Sequence, residues 1–198
     1  MTKTRRYNDA GQAFPIYIMV VAGLLFLAFA YLAVGQAAAN RNGAQTAADA
    51  AALAAAMDTR DQLAGQWVED VLDPTQWQDI FDGNAPVDNS CGRAVELAAQ
   101  NDAGDVDCQP VGLLSYEVTL KTNKPVGDSI VPGTDDLHST ASATAVIEPL
   151  CEFELPGEGA GDDVLPELTC KDGNWQLDPK DLTDLPEPKD LFDVHLAD

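Results

Sequence analysis

The chain has 198 residues and a net charge of −22, from 33 acidic and 11 basic residues. So acidic a surface repels nucleic acid and anionic lipid headgroups, which excludes partners held through phosphate. The length allows one modest domain with a small core.

Residues 1–13 form a short basic head carrying Lys3, Arg5 and Arg6. Phe14 to Ala39 follows as a transmembrane helix, and no charged residue occurs between Asp9 and Arg41. That stretch exceeds the ~20 apolar residues a helix needs to cross a bilayer. A single spanning segment can satisfy its backbone in lipid only as a helix. Pro15 suits the first turn, where its missing N–H has no partner to lose. The basic head predicts a cytoplasmic N-terminus, with residues 40–198 outside as the exported part. Without the first 39 residues, which hold three basic residues and one acidic, the charge is −24. The competing reading is a cleaved secretory leader ending at the small residues Ala37, Ala38 and Ala39. An apolar core of this size is longer than the ~7–15 residues of a leader, which favours a retained anchor.

The helical pattern continues past the span through an alanine-rich segment. Leu53, Met57, Ala64, Val68 and Val71 recur at helical steps, which predicts a common buried face. Asp73-Pro74 ends the run. A continuous helix from Phe14 to Leu72 would be on the order of 90 Å long. Gly43 and Gly65 are the places where it would bend or break. Gly35, Ala39, Gly43, Ala47, Ala51 and Ala55 make a smooth stripe. Small faces let helices pack closely, so the stripe is a candidate helix–helix surface; the alternative is that alanine is here only a good helix former.

Beyond the rod, Thr75 to Phe81 reads as a short helix with Trp77, Ile80 and Phe81 turned inward, and 82–86 as a turn. Ser90 is the expected N-cap of a helix that carries Cys91, Val95 and Ala98 on one side. Asp105 to Gln109 is a short strand. Leu113 to Lys121 is the clearest strand, alternating Leu114, Tyr116, Val118 and Leu120 with polar residues. His138 to Ile147 alternates again, with Ala141, Ala143, Ala145 and Ile147 forming a small face on which a helix can lie closely. Leu150 to Leu155 adds a third strand, with Cys151, Phe153 and Leu155 on its apolar side. Asn123 to Asp136 and 156–163 read as loops.

From residue 152 onward there are 14 acidic and 3 basic residues. Within them KDLTDL at 180–185 is echoed by KDLFDV at 189–194. The echo suggests a pair of docking turns. The composition favours an extended, partly disordered acidic tail over 156–198.

All four cysteines, Cys91, Cys108, Cys151 and Cys170, lie on the exported side, where disulfides are expected. Of the three pairings, sequence neighbours are favoured: Cys91 with Cys108 and Cys151 with Cys170. Zinc is disfavoured, because there is no CxxC and His138 and His195 stand at no ligand spacing. Asp102, Asp105 and Asp107 crowd together but miss the spacing of a calcium loop. No nucleotide-binding, metalloprotease or hydrolase motif is present, so neither an enzyme nor a cofactor is expected.

Three features together resemble the N-terminal domain of TadE/TadG-like proteins of bacterial tight-adherence (Flp) pilus-assembly systems. A Gly11-Gln12 step precedes the apolar run, one membrane helix follows, and then comes AQTAADAAALAAA, Ala44 to Ala56, with Asp49 inside the alanines. The resemblance covers about residues 9–57. It implies a minor-pilin-like or pseudopilin-like component that meets other pilus-assembly subunits through its N-terminal helix. It also makes Gly11 and Gln12 a candidate processing site. A cut after Gly11 would put Ile16, not an acidic residue, at the fifth position beyond it, so permanent anchorage is expected.

The expected fold is therefore α+β and pilin-like. A single transmembrane helix over 14–39 extends into a long Ala-rich helix. That helix packs on a small antiparallel sheet within an exported domain over 40–155, followed by an acidic tail. The expected function is a structural component of pilus assembly, with no nucleic-acid partner. The alternative is a membrane-tethered binding module whose acidic tail takes a cation or a basic partner.

Overall fold

One helix runs through most of the molecule's length, and the rest of the chain folds around its second half. The computed structural model describes residues 13–126, 136–157 and 164–197. Helix α1 spans Ala13–Glu69, 57 residues without interruption, or about 85 Å. Neither Gly43 nor Gly65 breaks it. A turn through Asp70 closes the end, where the Trp77 indole N–H donates to the Asp70 carbonyl at 3.1 Å.

Up to Asn40 the helix stands apart from the domain. From Ala44 onward its buried face is Ala44, Ala47, Ala48, Ala51, Ala52, Ala55, Ala56, Thr59, Leu63, Ala64 and Trp67, and Val71 is buried in the turn that follows. This corrects the face read from the larger side chains: Met57 and Val68 are 42% and 44% exposed. The helix lies close enough to the sheet that small residues mark the contact and the bulky ones are turned out.

Helix α2, Trp77–Phe81, buries Trp77, Ile80 and Phe81 as expected. Helix α3, Cys91–Gln100, packs beside α1. Its buried residues are Ala94 and Ala98, whereas Val95 faces out, half exposed. Ser90 precedes α3 but does not cap it with its side chain. Its hydroxyl is buried 2.7 Å from that of Thr59, which in turn donates to the Tyr116 hydroxyl at 2.9 Å. The first turn is served instead by Asn89, whose Oδ1 accepts from the Cys91 N–H at 2.8 Å.

The main sheet has the order β1-β2-β3-β7, antiparallel throughout. Its strands are β1 (Ala103–Pro110), β2 (Ser115–Thr122), β3 (Thr140–Pro149) and β7 (Phe192–Leu196). The register sets Tyr116 opposite Ala145, Val118 opposite Ala143 and Leu120 opposite Ala141. These residues make the face that α1 covers. A bulge between Gly104 and Asp107 interrupts β1. Asp102 and Asp105 adopt left-handed backbone angles, φ 56° and 47°, a region in which aspartate is enriched. The crowded aspartates thus belong to a turn and a bulge, and the Asp102 carboxylate pairs with Lys124 Nζ at 2.8 Å.

A second sheet, β4 (Cys151–Phe153), β5 (Leu168–Cys170) and β6 (Gly173–Trp175), stands apart from the first. The strand expected over 150–155 therefore belongs here and not beside β3, and Leu155 is exposed, not apolar-side. The physical reason is that β7 occupies the edge of β3, pairing Ile147 with Val194 and Pro149 with Phe192. Leu150 turns the chain away, its N–H bonded to the Leu191 carbonyl at 2.9 Å.

A further correction concerns the C-terminal segment, expected to be extended and partly disordered. Over residues 164–197 it is folded. Leu191 and Phe192, from the second of the two echoed motifs, are fully buried, and Phe192 stacks 5.4 Å from Phe81. The two motifs share only their opening turn, in which the Asp181 N–H donates to the Asp178 carbonyl at 3.0 Å and the Asp190 N–H to the Glu187 carbonyl at 2.8 Å. In the first, Asp181 Oδ1 accepts from the Thr183 hydroxyl at 2.6 Å, which with the Thr183 N–H lowers the Asp181 pKa. In the second, helix α4, Pro188–Leu191, begins with the Glu187 N–H donating to Asp190 Oδ2 at 2.8 Å. Proline is favoured at such a first helical position. Of the expected loops, residues 127–135 and 158–163 lie outside the described residues.

Two outcomes test this packing. Ala51→Leu should destabilise the domain by about 1–3 kcal/mol through overpacking, read by denaturant unfolding in detergent. Gly35→Leu, on the exposed part of α1, should leave that transition unchanged. The second test concerns the start of α4. A hydrogen bond from Lys189, and then its charge, lowers the Glu187 pKa below 4.5, while the same contact raises that of Lys189 above 10.5. A depressed carboxylate contributes stability above its unfolded value and loses it as pH falls through the folded one. The lysine's contribution is lost as pH rises past 10.5. Both groups are exposed, so the effect on stability is small. By NMR titration the Glu187 carboxyl should show a midpoint below 4.5, moving back toward 4.5 in Lys189→Ala.

Candidate functional site: the anchor and its helix face

The exposed first half of α1 is the most unusual surface of the molecule. Phe14, Ile16, Met19, Leu25, Phe26, Phe29, Tyr31 and Val34 are all more than half exposed, Met19 at 76% and Tyr31 at 83%. No other described part of the chain covers them. A soluble surface rarely leaves so large an apolar area open. By length and composition α1 is the one candidate membrane span among the described residues.

The domain grips the helix immediately beyond that apolar stretch. Asn40 Nδ2 donates to the Lys124 carbonyl at 3.1 Å, and Asn40 Oδ1 accepts from the Thr122 hydroxyl at 3.3 Å. Thr122 is itself fixed, since its carbonyl meets His138 Nδ1 at 2.6 Å and its hydroxyl accepts from the Ser139 N–H at 3.1 Å. His138 is thus half-buried and structural. Asp49, the acidic residue inside the alanine run, accepts from Gln45 Nε2 at 2.7 Å, and the same amide lies 3.3 Å from the Ser142 carbonyl of β3. Span and domain therefore share one helix with no linker between them.

The smooth stripe divides at this grip. Gly35, Ala39 and Gly43 are exposed, and a Cβ added at either glycine would meet nothing within 4 Å. Ala47, Ala51 and Ala55 are fully buried within the domain, so in this fold they face the chain's own domain. Gly11 and Gln12 lie outside the described residues.

The cysteines pair as sequence neighbours. Cys91–Cys108 ties α3 to β1, and Cys151–Cys170 ties β4 to β5. A cluster that sequence reading missed is Glu148, Asp193 and His195, whose ligand atoms lie within 4.8 Å of one another. All three are exposed, and His195 Nδ1 is 3.3 Å from Asp193 Oδ2. Pairing of β3 with β7 sets Glu148 opposite Asp193. With 44 residues between Glu148 and Asp193, no local spacing in the sequence could have signalled it.

No curated protein and no solved structure matches the chain. Residues 11–58 match a family model described as putative Flp pilus-assembly TadE/G-like. The match begins at Gly11, takes in the whole apolar half of α1 and the grip at Asn40, and ends two residues beyond Ala56. Over residues 11–58 the chain is therefore similar to the TadE/G-like Flp pilus-assembly family, and the rest of the chain lies outside that match.

Proposed function

We propose that the protein is a non-enzymatic, membrane-anchored component of a Flp/Tad-type pilus-assembly or secretion apparatus, in a minor-pilin-like or pseudopilin-like role. The observation that carries this reading is the coincidence of the family match with the uncovered apolar half of α1. In this reading residues 14–39 cross the membrane, the basic head stays in the cytoplasm and the acidic domain stands outside. Two disulfides suit an oxidising compartment. The grip at Asn40 then seats the domain at the membrane surface and makes its tilt follow that of the span.

Gly35, Ala39 and Gly43 are the part of the small stripe left for other pilus-assembly or pilin-like subunits. They sit where the helix leaves the lipid and meets the domain, and close helix approach is favoured by small residues. The tail-based alternative has less support, because the segment it relies on is folded into the domain.

Leu25→Arg places a charge near the middle of the span, at a cost of about 2.5–3.5 kcal/mol on insertion scales. Alkaline carbonate extraction should release that variant while retaining the parent chain, and retention of both would contradict the anchor. Orientation is checked with a membrane-impermeant thiol reagent on intact cells. It should label Asp178→Cys and leave Thr4→Cys unlabelled until the membrane is opened; the reverse pattern would overturn the topology.

A further inference from the structure

We propose that α1 pairs in parallel with α1 of a second copy of this chain, along a seam that runs from the apolar half into the groove between α1 and α3. The inference rests on the anchor reading and names a partner for the small stripe. Ala39, Gly43, Thr46, Ala50, Leu53 and Met57 follow one another at steps of four, three, four, three and four. That is the spacing of a helix–helix seam. No charged residue stands on it, and the same steps lead back through Gln36, Leu32, Phe29 and Leu25. Gly43, Thr46 and Met57 are exposed, and Ala50 and Leu53 are only half-covered. The last three positions, Ala50, Leu53 and Met57, line a groove of about 360 Å³ whose other wall is Arg93 and Leu97 of α3. The exposed Met57 thus lies on a continuous uncharged line and not alone.

Three observations select a second copy as the occupant. First, α1 is unbroken from the apolar half to Glu69, so helices that meet at Ala39 and Gly43 stay neighbours as far as Met57. Copies inserted the same way hold α1 parallel, and a two-fold axis between them sets each seam position against its own counterpart. Second, Gln36 is the one amide between Phe14 and Ala39, and it falls on the seam. An amide both donates and accepts, so it complements an identical amide, and a polar residue at a seam position fixes the register. Third, the charged lining of the groove is Asp58, Asp61, Arg60 and Arg93, two of each sign, in a chain of net charge −22. Arg60 is bonded to Asp61 and Arg93 to Glu96. A face carrying paired charges of both signs complements itself, whereas two wholly acidic faces repel.

The test is disulfide cross-linking of the full chain carrying Met57→Cys, in membranes of cells that express it, with copper phenanthroline as the oxidant. All four native cysteines are already paired, so the introduced thiol is the only free one. The expected product has twice the mass of the chain and contains no other protein. Asp178→Cys, exposed and far from the seam in sequence, should give none. Gly43→Leu, added to Met57→Cys, should cut the yield about tenfold. A Cβ at Gly43 meets nothing within 4 Å in the single copy, so leucine there obstructs only a second helix. Gly65→Leu is equally open but off the seam, and should change the yield less than about twofold. Unchanged unfolding of both glycine variants shows that each comparison is made on folded protein. Absence of product would overturn the pairing, as would equal yield from Asp178→Cys or equal loss with the two glycine variants. A product joined to a different protein would also overturn it and make that protein the occupant. Carbonate extraction of the same membranes keeps the two readings apart. A retained chain that does not cross-link overturns the pairing alone, and a released chain overturns the anchor and the parallel pairing with it.

Discussion

Alanine lying against alanine is the contact on which the molecule depends. The helix face from Ala44 to Ala56 meets a sheet whose covered surface includes Ala141, Ala143 and Ala145. Small side chains on both sides bring helix and strands into close approach, and at native packing density that closeness leaves no room for larger groups. Opposite those alanines β2 supplies Tyr116, Val118 and Leu120, and the aromatic rings gather at the far end, where Leu63, Trp67, Trp77, Ile80, Phe81, Phe153 and Phe192 fill the wider space between α1, α2 and the two sheets. The core thus widens away from the apolar half of the helix.

That arrangement lets one helix serve two surroundings. Its first half presents bulky apolar side chains in all directions, as suits a segment surrounded by lipid. Its second half is apolar on one face only, as suits a helix lying on a domain. The change falls between Asn40 and Ala44, where a side-chain amide bonded to the β2–β3 connection takes over from hydrophobic surface. With no linker at the change, the orientation of the domain is coupled mechanically to that of the helix. In a membrane such coupling would carry a tilt or rotation of the apolar half directly into the domain.

The two disulfides reinforce regions that the alanine contact does not reach. Cys91–Cys108 closes the edge of the main sheet, and Cys151–Cys170 holds a three-stranded sheet too small to be stable alone. The C-terminal strand β7 completes the structure by occupying the open edge of β3, which would otherwise be a free pairing edge.

Much of this was legible in the residues alone, because it is local. An uncharged stretch of membrane length, strict alternation in β2 and β3, the alanine face that admits a helix, the sequence-neighbour cysteine pairs and the TadE/TadG-like N-terminal pattern are all written within short windows. The misreadings came where size or distance decides. Met57, Val68 and Val95 are apolar and correctly spaced, yet they point outward because close packing selects the alanines beside them. The acidic C-terminal segment has the composition of a disordered tail, but two residues, Leu191 and Phe192, carry enough buried surface to dock it, and nothing near them in the chain shows that β3 has an edge to offer. The Glu148, Asp193 and His195 trio is likewise a product of strand pairing between distant segments. Short-range pattern determined which pieces form and where the anchor lies; only the tertiary structure decided which faces are covered, because burial depends on what distant parts of the chain bring to the same place.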